Sequence, residues 1–447
     1  MVLGLQSSDG GGIESHQVID LLRRPSQIME SPHNSVRDED RISVSKDEDR
    51  ISALPDELLL HILEFLAMGV AVQTSVLSKR WMHLPHQLSY LIMNALDFQV
   101  PGCTLGQVMT AYTDATRRLL SPQTCKCIRT IKTVQLSFYL ADPYLSSIGH
   151  AVRDAAKSGE IEFLEFAINK HVEFPSEAQL VLFGQRFVSF LHACPGAFKL
   201  LTKLTLQNLV FEDSDVPNIL DTCNKLQLLS LRCCELGQDP VLKIDAPCSD
   251  LRALEIYLFW VPFTLSECLS SNRNLSILHL NFRTQMIWIK PEGPHQLTPI
   301  FSKLRDVHLY GILFECNLDW TMFILEGAPS VENFYLARHP CELSKSEDSA
   351  EKTNMVWESS KDLKHLNLKL LVIRGFEEED KVMNYVRLVM ARAVVLKRIE
   401  LRDKDPCNLC KAIKREPPRF VVDEASKHRI REHLTKGFSS SVQIIIG

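Results

Sequence analysis

The chain has 447 residues, 45% of them hydrophobic, which allows roughly two to four domains or one long repeat array around a large core. A formal net charge of −5 and a pI of about 6.3 disfavour a dedicated nucleic-acid-binding protein. No apolar run reaches the roughly 18 residues that span a bilayer, and the first residues do not form a signal peptide, so we expect a protein of the nucleus, the cytoplasm or both that does not contact a membrane.

The 13 cysteines are scattered along the chain. In a chain of this length without a secretion signal, we interpret them as reduced and mostly buried thiols. The pairs Cys125/Cys127 and Cys407/Cys410 each lack the second pair that a zinc site requires. We therefore expect neither a metal nor another cofactor.

Behind a polar tail (residues 1–47), whose composition predicts disorder, lies a short and strongly apolar helical stretch. Pro55 and the two carboxylates after it predict the start of a helix, because proline suits the first turn and carboxylates favour its positive end. Gly69 is predicted to end this helix, and Ser78 to open the last of two further short helices. The first helix has one wide apolar face, formed by Leu58, Leu59, Leu60, Ile62, Leu63, Phe65 and Leu66.

So small a unit cannot bury this whole apolar face internally, which predicts a contact with a partner protein. The segments LPDELL (54–59), IL (62–63), FL (65–66) and TSVLSKRW (74–81) resemble the F-box of plant F-box proteins. The resemblance implies an F-box domain over residues 48–95 that docks on a Skp1-like adaptor and, through it, on the cullin of a ubiquitin ligase. The Skp1-binding residues that the resemblance implies are Leu54, Pro55, Leu58, Leu59, Ile62 and Leu66.

A short pattern, apolar-x-x-apolar-x-apolar, recurs ten times after the F-box. Its first positions are 24 to 40 residues apart, and most of these steps fit a leucine-rich repeat. The triplets are Ile131/Val134/Leu136, Ile161/Leu164/Phe166, Leu201/Leu204/Leu206, Leu226/Leu229/Leu231, Leu251/Leu254/Ile256, Leu275/Leu278/Leu280, Leu304/Val307/Leu309, Val331/Phe334/Leu336, Leu363/Leu366/Leu368 and Leu396/Ile399/Leu401.

Each repeat supplies one strand whose inward leucines it cannot bury alone, so neighbouring repeats must stack. The predicted fold is therefore α/β, with the N-terminal helical F-box followed by an irregular leucine-rich-repeat solenoid with a parallel concave sheet over residues 100–360. Residues 226–234 match the fuller L-x-x-L-x-L-x-x-C form, which makes Cys234 a buried turn residue. The irregular repeats also resemble those of plant F-box proteins with degenerate leucine-rich repeats.

Two connecting segments have clear patterns. Residues 176–194 predict an amphipathic helix in which Phe187 and Phe190 belong to the core. Residues 344–352 contain a single small apolar residue and predict a polar loop before the C-terminal section.

Residues 361–447 resemble the FBD domain that often ends plant F-box/leucine-rich-repeat proteins, and they are predicted to continue the solenoid. A strand, a Gly375-Phe376 turn, a helix opened by four acidic residues and another strand follow in order. The buried stripe of that helix is predicted to be Val382, Tyr385, Val386, Val389 and Met390. Two β-prone ends, residues 420–422 and 442–446, are candidates for pairing with each other.

The sequence contains no phosphate-binding loop, dinucleotide-binding glycine motif, nucleophile elbow or zinc-protease motif, so it predicts a non-catalytic protein. Two functions stay open. The first is the substrate-recognition subunit of an SCF-type (Skp1–cullin–F-box) E3 ubiquitin ligase. The alternative is a leucine-rich-repeat interaction scaffold without ligase function. The apolar F-box face favours the first, because a scaffold alone has no use for it.

Strand alternation predicts where a protein substrate binds. The leucines at the fourth and sixth positions of each repeat point into the core, so the residues beside them face the concave surface. This rule selects Ser230, Arg232, Glu255, Tyr257, His279, Asn281, His308, Tyr310, Asn333 and Tyr335. Tyrosine and arginine are frequent at binding hot spots. The candidates for contact with a substrate, whose identity the sequence does not give, are Arg232, Tyr257, His279, His308, Tyr310 and Tyr335.

Overall fold

The structure of the protein is a computed structural model. It describes residues 51, 53–66, 68–121, 131–157, 161–172, 175–236, 244, 251–257, 263–270, 272–282, 287, 289–339, 357–403, 423–438 and 442–447. Several predictions fall outside these residues: the tail over 1–47, the cysteine pairs at 125/127 and 407/410, and the polar loop over 344–352. Within the described ranges, no helix has the length and apolar character needed to cross a bilayer, and no cluster of three or more His, Cys, Asp or Glu side chains is arranged to hold a metal ion.

The predicted F-box forms three short helices, as expected, although one boundary differs. Helix α1 spans Asp56–Glu64 with Pro55 at its N-cap, α2 spans Met68–Gln73, and α3 spans Lys79–His83. Single 3₁₀ turns follow at Thr74–Val76, Leu84–Gln87 and Ala95–Phe98. Gly69 lies inside α2, so the prediction that Gly69 ends the first helix is wrong.

Twelve strands form one parallel sheet in which each strand lies beside the next long strand of the chain. They are β1 (Tyr90–Asn94), β2 (Ile131–Tyr139), β3 (Ile161–Asn169), β4 (Leu201–Gln207), β6 (Leu228–Arg232), β8 (Ala253–Tyr257), β10 (Ile277–Asn281), β12 (Asp306–Leu313), β13 (Asn333–His339), β14 (Leu370–Arg374), β15 (Arg398–Arg402) and β16 (Gln443–Ile446). Four two-residue strands pair separately, β5 (Val210–Phe211) with β7 (Glu235–Leu236) and β9 (Phe263–Thr264) with β11 (Ile289–Lys290). One strand per repeat in chain order is the architecture of a solenoid, which confirms the predicted fold class.

Helices connect most of the strands. They are α4 (Leu105–Leu120), α5 (Tyr144–Lys157), α6 (Glu177–Ala193), α7 (Pro195–Phe198), α8 (Asp215–Thr222), α9 (Leu265–Cys268), α10 (Pro294–Phe301), α11 (Met322–Gly327), α12 (Asp380–Arg392) and α13 (Glu424–Thr435), and a 3₁₀ turn at Asp319–Thr321 precedes α11. Because a helix is about 10 Å wide and strands lie only about 4.8 Å apart, stacking these units places the sheet on the concave side. Helix α6 confirms the amphipathic helix predicted over 176–194, with Phe187 and Phe190 buried.

The core lies between the sheet and the helices. In nine of the ten predicted triplets, the last two residues lie on a strand and are buried. Leu254, Leu278 and Val307, for example, are register partners on successive strands and are fully buried. A buried side chain of this size contributes about 1.5–3 kcal/mol, so the ladder of apolar residues is a main source of stability. Cys234 is also buried, as predicted, with its sulfur 3.5 Å from the Leu206 carbonyl oxygen.

The ninth predicted triplet, Leu363/Leu366/Leu368, is wrong. Leu366 is 64% exposed, and the strand of this repeat is β14, which begins at Leu370. The correct triplet is Leu368/Leu371/Ile373, because Leu371 pairs with Phe334 on one side and Ile399 on the other. The sheet therefore continues without interruption from β13 into the C-terminal section.

Two strands were not predicted as members of the sheet. Strand β1 pairs in parallel with β2 through Leu91 and Met93, so the sheet begins within the range predicted for the F-box. Strand β16 pairs with β15 at the other end. The partner suggested for β16 from the sequence, residues 420–422, lies outside the described residues.

The C-terminal section has the predicted order of elements: β14, a turn, α12 and β15. Gly375 in the turn has a φ of +67°, and a Cβ there would lie 2.4 Å from the Arg338 carbonyl oxygen, so only glycine fits. All five residues of the predicted stripe on α12 are buried.

Candidate functional site

Helix α1 presents two apolar sides. Leu59 and Leu63 are buried in the protein's own core, whereas Leu58, Ile62 and Phe65 are 50%, 42% and 77% exposed. The spacing explains the division, since residues three or four apart share one side of a helix. We call Leu58, Ile62 and Phe65 the outer stripe. Exposed apolar residues that lie together in this way are typical of surfaces that contact another molecule.

More apolar side chains are exposed directly after α1. They are Val70, Val76, Leu77 and Met82. The guanidinium of Arg80 donates to the Asp56 carboxylate over 2.7 Å and to the Leu54 carbonyl oxygen, which holds α3 against the start of α1. The outer stripe and these residues therefore belong to one connected helical unit.

The six residues predicted to bind Skp1 have different degrees of exposure. Leu58, Ile62 and Pro55 are exposed, and Leu54 and Leu66 are half-buried against the core. Leu59 is completely buried, so in this structure it is a core residue rather than a surface contact. Phe65 was not among the six, although its position seven residues after Leu58 places it on the same side of the helix.

A first row of side chains crosses the open face of the sheet, and we call it the middle row. It consists of Ser230, Glu255, His279, His308 and Tyr335, each the register partner of the next. The ring centroids of His279 and His308 are 4.1 Å apart, and those of His308 and Tyr335 are 4.2 Å apart with nearly parallel planes. Both faces of the His308 ring are therefore covered by neighbouring rings.

A second row, the C-terminal row, lies two residues further along each strand. It consists of Arg232, Tyr257, Asn281, Tyr310, Ala337, Arg374 and Arg402. The Arg232 guanidinium lies 5.3 Å from the centroid of the Tyr257 ring, within cation–π range. The Tyr310 hydroxyl lies 3.0 Å from Nδ1 of His308 and joins the two rows. The structure thus brings all six predicted substrate residues together, and their contact with a substrate stays a prediction.

The family model of the F-box domain matches residues 51–91, which contain α1, α2, α3 and the start of β1. A putative F-box/LRR-repeat protein from Arabidopsis thaliana is 28% identical over 40% of this chain and 37% of its own length. F-box/LRR-repeat protein 25 from the same plant is 29% identical over 44% of this chain and 72% of its own length. The chain contains an F-box domain and is similar to plant F-box/LRR-repeat proteins.

The chain spans about two fifths of the length of the first curated relatives that it matches, at 37%, 36% and 42%. The comparisons do not confirm the resemblance of residues 361–447 to an FBD domain. A Bacteroides fragilis protein of known crystal structure aligns with 77% of the chain and 72% of its own length, at 12% identity and a TM-score of 0.29.

The charges in the middle row of the sheet face are balanced by neighbouring side chains. The Glu255 carboxylate lies 3.6 Å from the Arg232 guanidinium and 3.5 Å from Nδ1 of His279. Burial alone raises the pKa of Glu255, but the hydrogen bonds from His279 and Ser230 and the charge of Arg232 outweigh it and lower the pKa to about 2. Burial, followed by the influence of His279, lowers the pKa of His308 to about 4. At neutral pH the site therefore contains an ionised Glu255 and a neutral His308.

We expect the stability of the protein to fall as the pH drops from about 6.5 to about 4, partly because of His308. Its folded pKa of about 4 lies below the ordinary value of 6.5, so the unfolded state binds more protons between these values. Glu255 contributes separately to the loss of stability, and only below about pH 4.5, because its stabilising charge is lost as the pH falls towards 2. His308→Gln should reduce the loss between pH 7 and pH 5 by at most about 2 kcal/mol.

Thermal unfolding of the wild type and His308→Gln at both pH values measures this difference. Burial also lowers the pKa of His171 and His365, so part of the pH dependence should persist in the variant. An identical pH dependence in the two proteins would show that His308 does not contribute.

Proposed function

We propose that this protein is the substrate-recognition subunit of an SCF-type E3 ubiquitin ligase. In this role the F-box binds a Skp1-like adaptor, which joins it to the cullin, and the open face of the sheet binds a protein substrate. The protein itself acts as a non-catalytic adaptor, in the nucleus, the cytoplasm or both. The observation that carries the proposal is the outer stripe of α1, presented on a segment that matches the F-box domain.

The packing of α1 supports a role in binding. Leu59 and Leu63 attach the helix to the core, so the helix is ordered before any partner arrives. Leu58, Ile62 and Phe65 then offer apolar area whose burial contributes about 25 cal/mol per Å². A preordered helix avoids most of the entropy cost of folding on binding, which favours a stable interface with the adaptor.

The alternative is an interaction scaffold without ligase function. Such a protein could use the sheet face equally well, since that face is independent of the F-box. A scaffold function, however, does not explain why three large apolar side chains are exposed on α1. Binding of the adaptor therefore separates the two functions.

Replacing Leu58 and Ile62 with serine should reduce capture of a Skp1-like adaptor by at least about tenfold, because about 1.4 kcal/mol of lost binding energy has that effect. The variant should still fold, since both side chains are exposed and Leu59 and Leu63 are unchanged. A pull-down with purified adaptor, with circular dichroism on the same samples, measures both properties.

A matched control exists on α6, where Val181 and Leu182 are 37% and 42% exposed. Serine at both positions removes similar exposed apolar area far from the F-box in sequence and should leave adaptor capture unchanged. Equal capture by the Leu58/Ile62 variant and the wild type would contradict the proposal and favour the scaffold.

A further inference from the structure

The C-terminal row has an unusual distribution of charge. It contains three arginines, Arg232, Arg374 and Arg402, two tyrosines and no carboxylate. The chain as a whole carries a net charge of −5, so the charge of this row is opposite in sign to that of the whole molecule. A row of this kind attracts a partner of opposite charge and discourages a basic one.

The carboxylates on the same face have hydrogen-bond or ion-pair partners within the protein. On the strands from β6 to β15 that form this face, each one is paired with a cation or an amide. The pairs are Glu255 with Arg232 and His279, Glu400 with Arg398 and Arg402, and Asp306 with Asn333. Of the four consecutive acidic residues that follow β14, from Glu377 to Asp380, Glu378 is paired with Arg429 and Glu379 with Arg338. The pairs on the face also involve Arg232 and Arg402, so the face of β6 to β15 carries four arginines against three carboxylates, a small positive excess that favours an acidic partner.

The stacked rings strengthen this preference. His308 lies between His279 and Tyr335 and is stacked on Tyr335, so both faces of the His308 ring are covered and a partner meets its edge. Ring edges carry partial positive charge, and the hydroxyl of Tyr310 is placed beside them. Carboxylate oxygens accept hydrogen bonds from such groups, whereas a cation would meet the unfavourable side of the ring quadrupole.

We propose that the C-terminal row binds an extended acidic peptide segment of the protein substrate. This inference rests on the proposed function, in which the sheet face receives the substrate. Five steps between neighbouring strands separate Arg232 on β6 from Arg374 on β14, which is about 24 Å. An extended peptide advances about 3.3 Å per residue, so about seven residues cover this distance. The segment therefore carries one Asp or Glu near each end and contacts the tyrosines between them.

A randomised octapeptide library displayed on phage and selected on the immobilised full chain tests the proposal. We expect enrichment of Asp and Glu at two positions separated by five to seven residues. Raising the salt concentration should weaken the enrichment, because exposed charges are screened. Arg232→Gln combined with Arg374→Gln should abolish the acidic preference, and Arg232→Glu combined with Arg374→Glu should reverse it in favour of Lys and Arg.

Arg305 provides the matched control, because its side chain is 65% exposed but it precedes β12 and lies outside both rows. The acidic preference should survive Arg305→Gln. Three outcomes would overturn the proposal. They are selection of basic or purely apolar peptides, no enrichment at all, and an acidic preference that survives the double glutamine variant. The selection needs no adaptor, so its failure is distinct from a failure of adaptor binding by the F-box.

Discussion

Replacing Gly184 with alanine is expected to destabilise the repeat array by about 3 kcal/mol, the upper range for overpacking a filled core. Gly184 lies in the middle of α6, where the helix packs directly on the backbone of β5. A Cβ at this position would lie 1.8 Å from the Val210 carbonyl oxygen, far inside contact distance. A backbone atom cannot rotate away as a side chain does, so either the helix or β5 must move. Thermal unfolding measures the loss.

Gly69 gives the matched control, because it is also a helical glycine and would gain the same methyl group. The nearest atoms to its added Cβ lie 4.0 Å away, which is ordinary contact. Gly69→Ala should therefore be neutral or stabilise α2 by up to about 1 kcal/mol through its helix propensity. Equal effects of the two substitutions would contradict the close approach between α6 and β5.

Ending the chain after Phe282 should produce an aggregating protein. The cut removes β11 to β16 and leaves β10 without its partner β12, so a row of backbone donors and acceptors becomes an open sheet edge. It also uncovers Leu278 and Leu280, whose neighbours Val307 and Leu309 are lost. A repeat array without its terminal units exposes core surface, and such fragments associate. Size-exclusion chromatography of the purified fragment tests this expectation.

A cut after Asp403 is the control, because it also ends directly behind a strand. It removes α13 and the terminal strand β16, so β15 replaces β16 as the edge strand and the strands from β1 to β14 keep their partners. We expect a soluble protein with a lower melting temperature. A monomeric, cooperatively folding fragment from the cut after Phe282 would show instead that the array consists of independent domains.

Most strands of the sheet could be predicted because their core-facing residues must be apolar at a fixed spacing. A strand whose leucines face a core must repeat the same spacing, and nine of the ten predicted triplets follow from that requirement. The ninth failed because Leu368 belongs to two overlapping patterns, one starting at Leu363 and one continuing to Leu371 and Ile373. Spacing alone cannot choose between them. The pairing of Leu371 with Phe334 and Ile399 selects the second pattern, and these two partners lie in other repeats.

The two candidate surfaces differ in whether a local sequence rule is enough to predict them. Strand alternation is a local rule, so the spacing of Arg232, His279 and Tyr335 within their own repeats is enough to place them on one face. On α1, the sequence could not tell whether Leu58 or Leu59 faces the core. That choice depends on what packs against the helix, and in the structure Leu59 and the distant Trp81 are buried in one common core. The sequence therefore predicted one apolar face where the molecule has an inner and an outer side.

The F-box and the sheet share one hydrophobic core, and β1 follows α3 with only a 3₁₀ turn between them. This continuity removes the hinge that a linker between separate domains would provide. The sheet then acts as a spacer of fixed length. From β1 it is four strand steps, or about 19 Å, to β6 and nine strand steps, or about 43 Å, to β14. In the proposed ligase, only those substrate lysines that lie at a suitable distance from the bound peptide would reach the ubiquitin-loaded enzyme. Inserting or deleting one repeat would move the bound segment by about 5 Å and so change which lysine is modified.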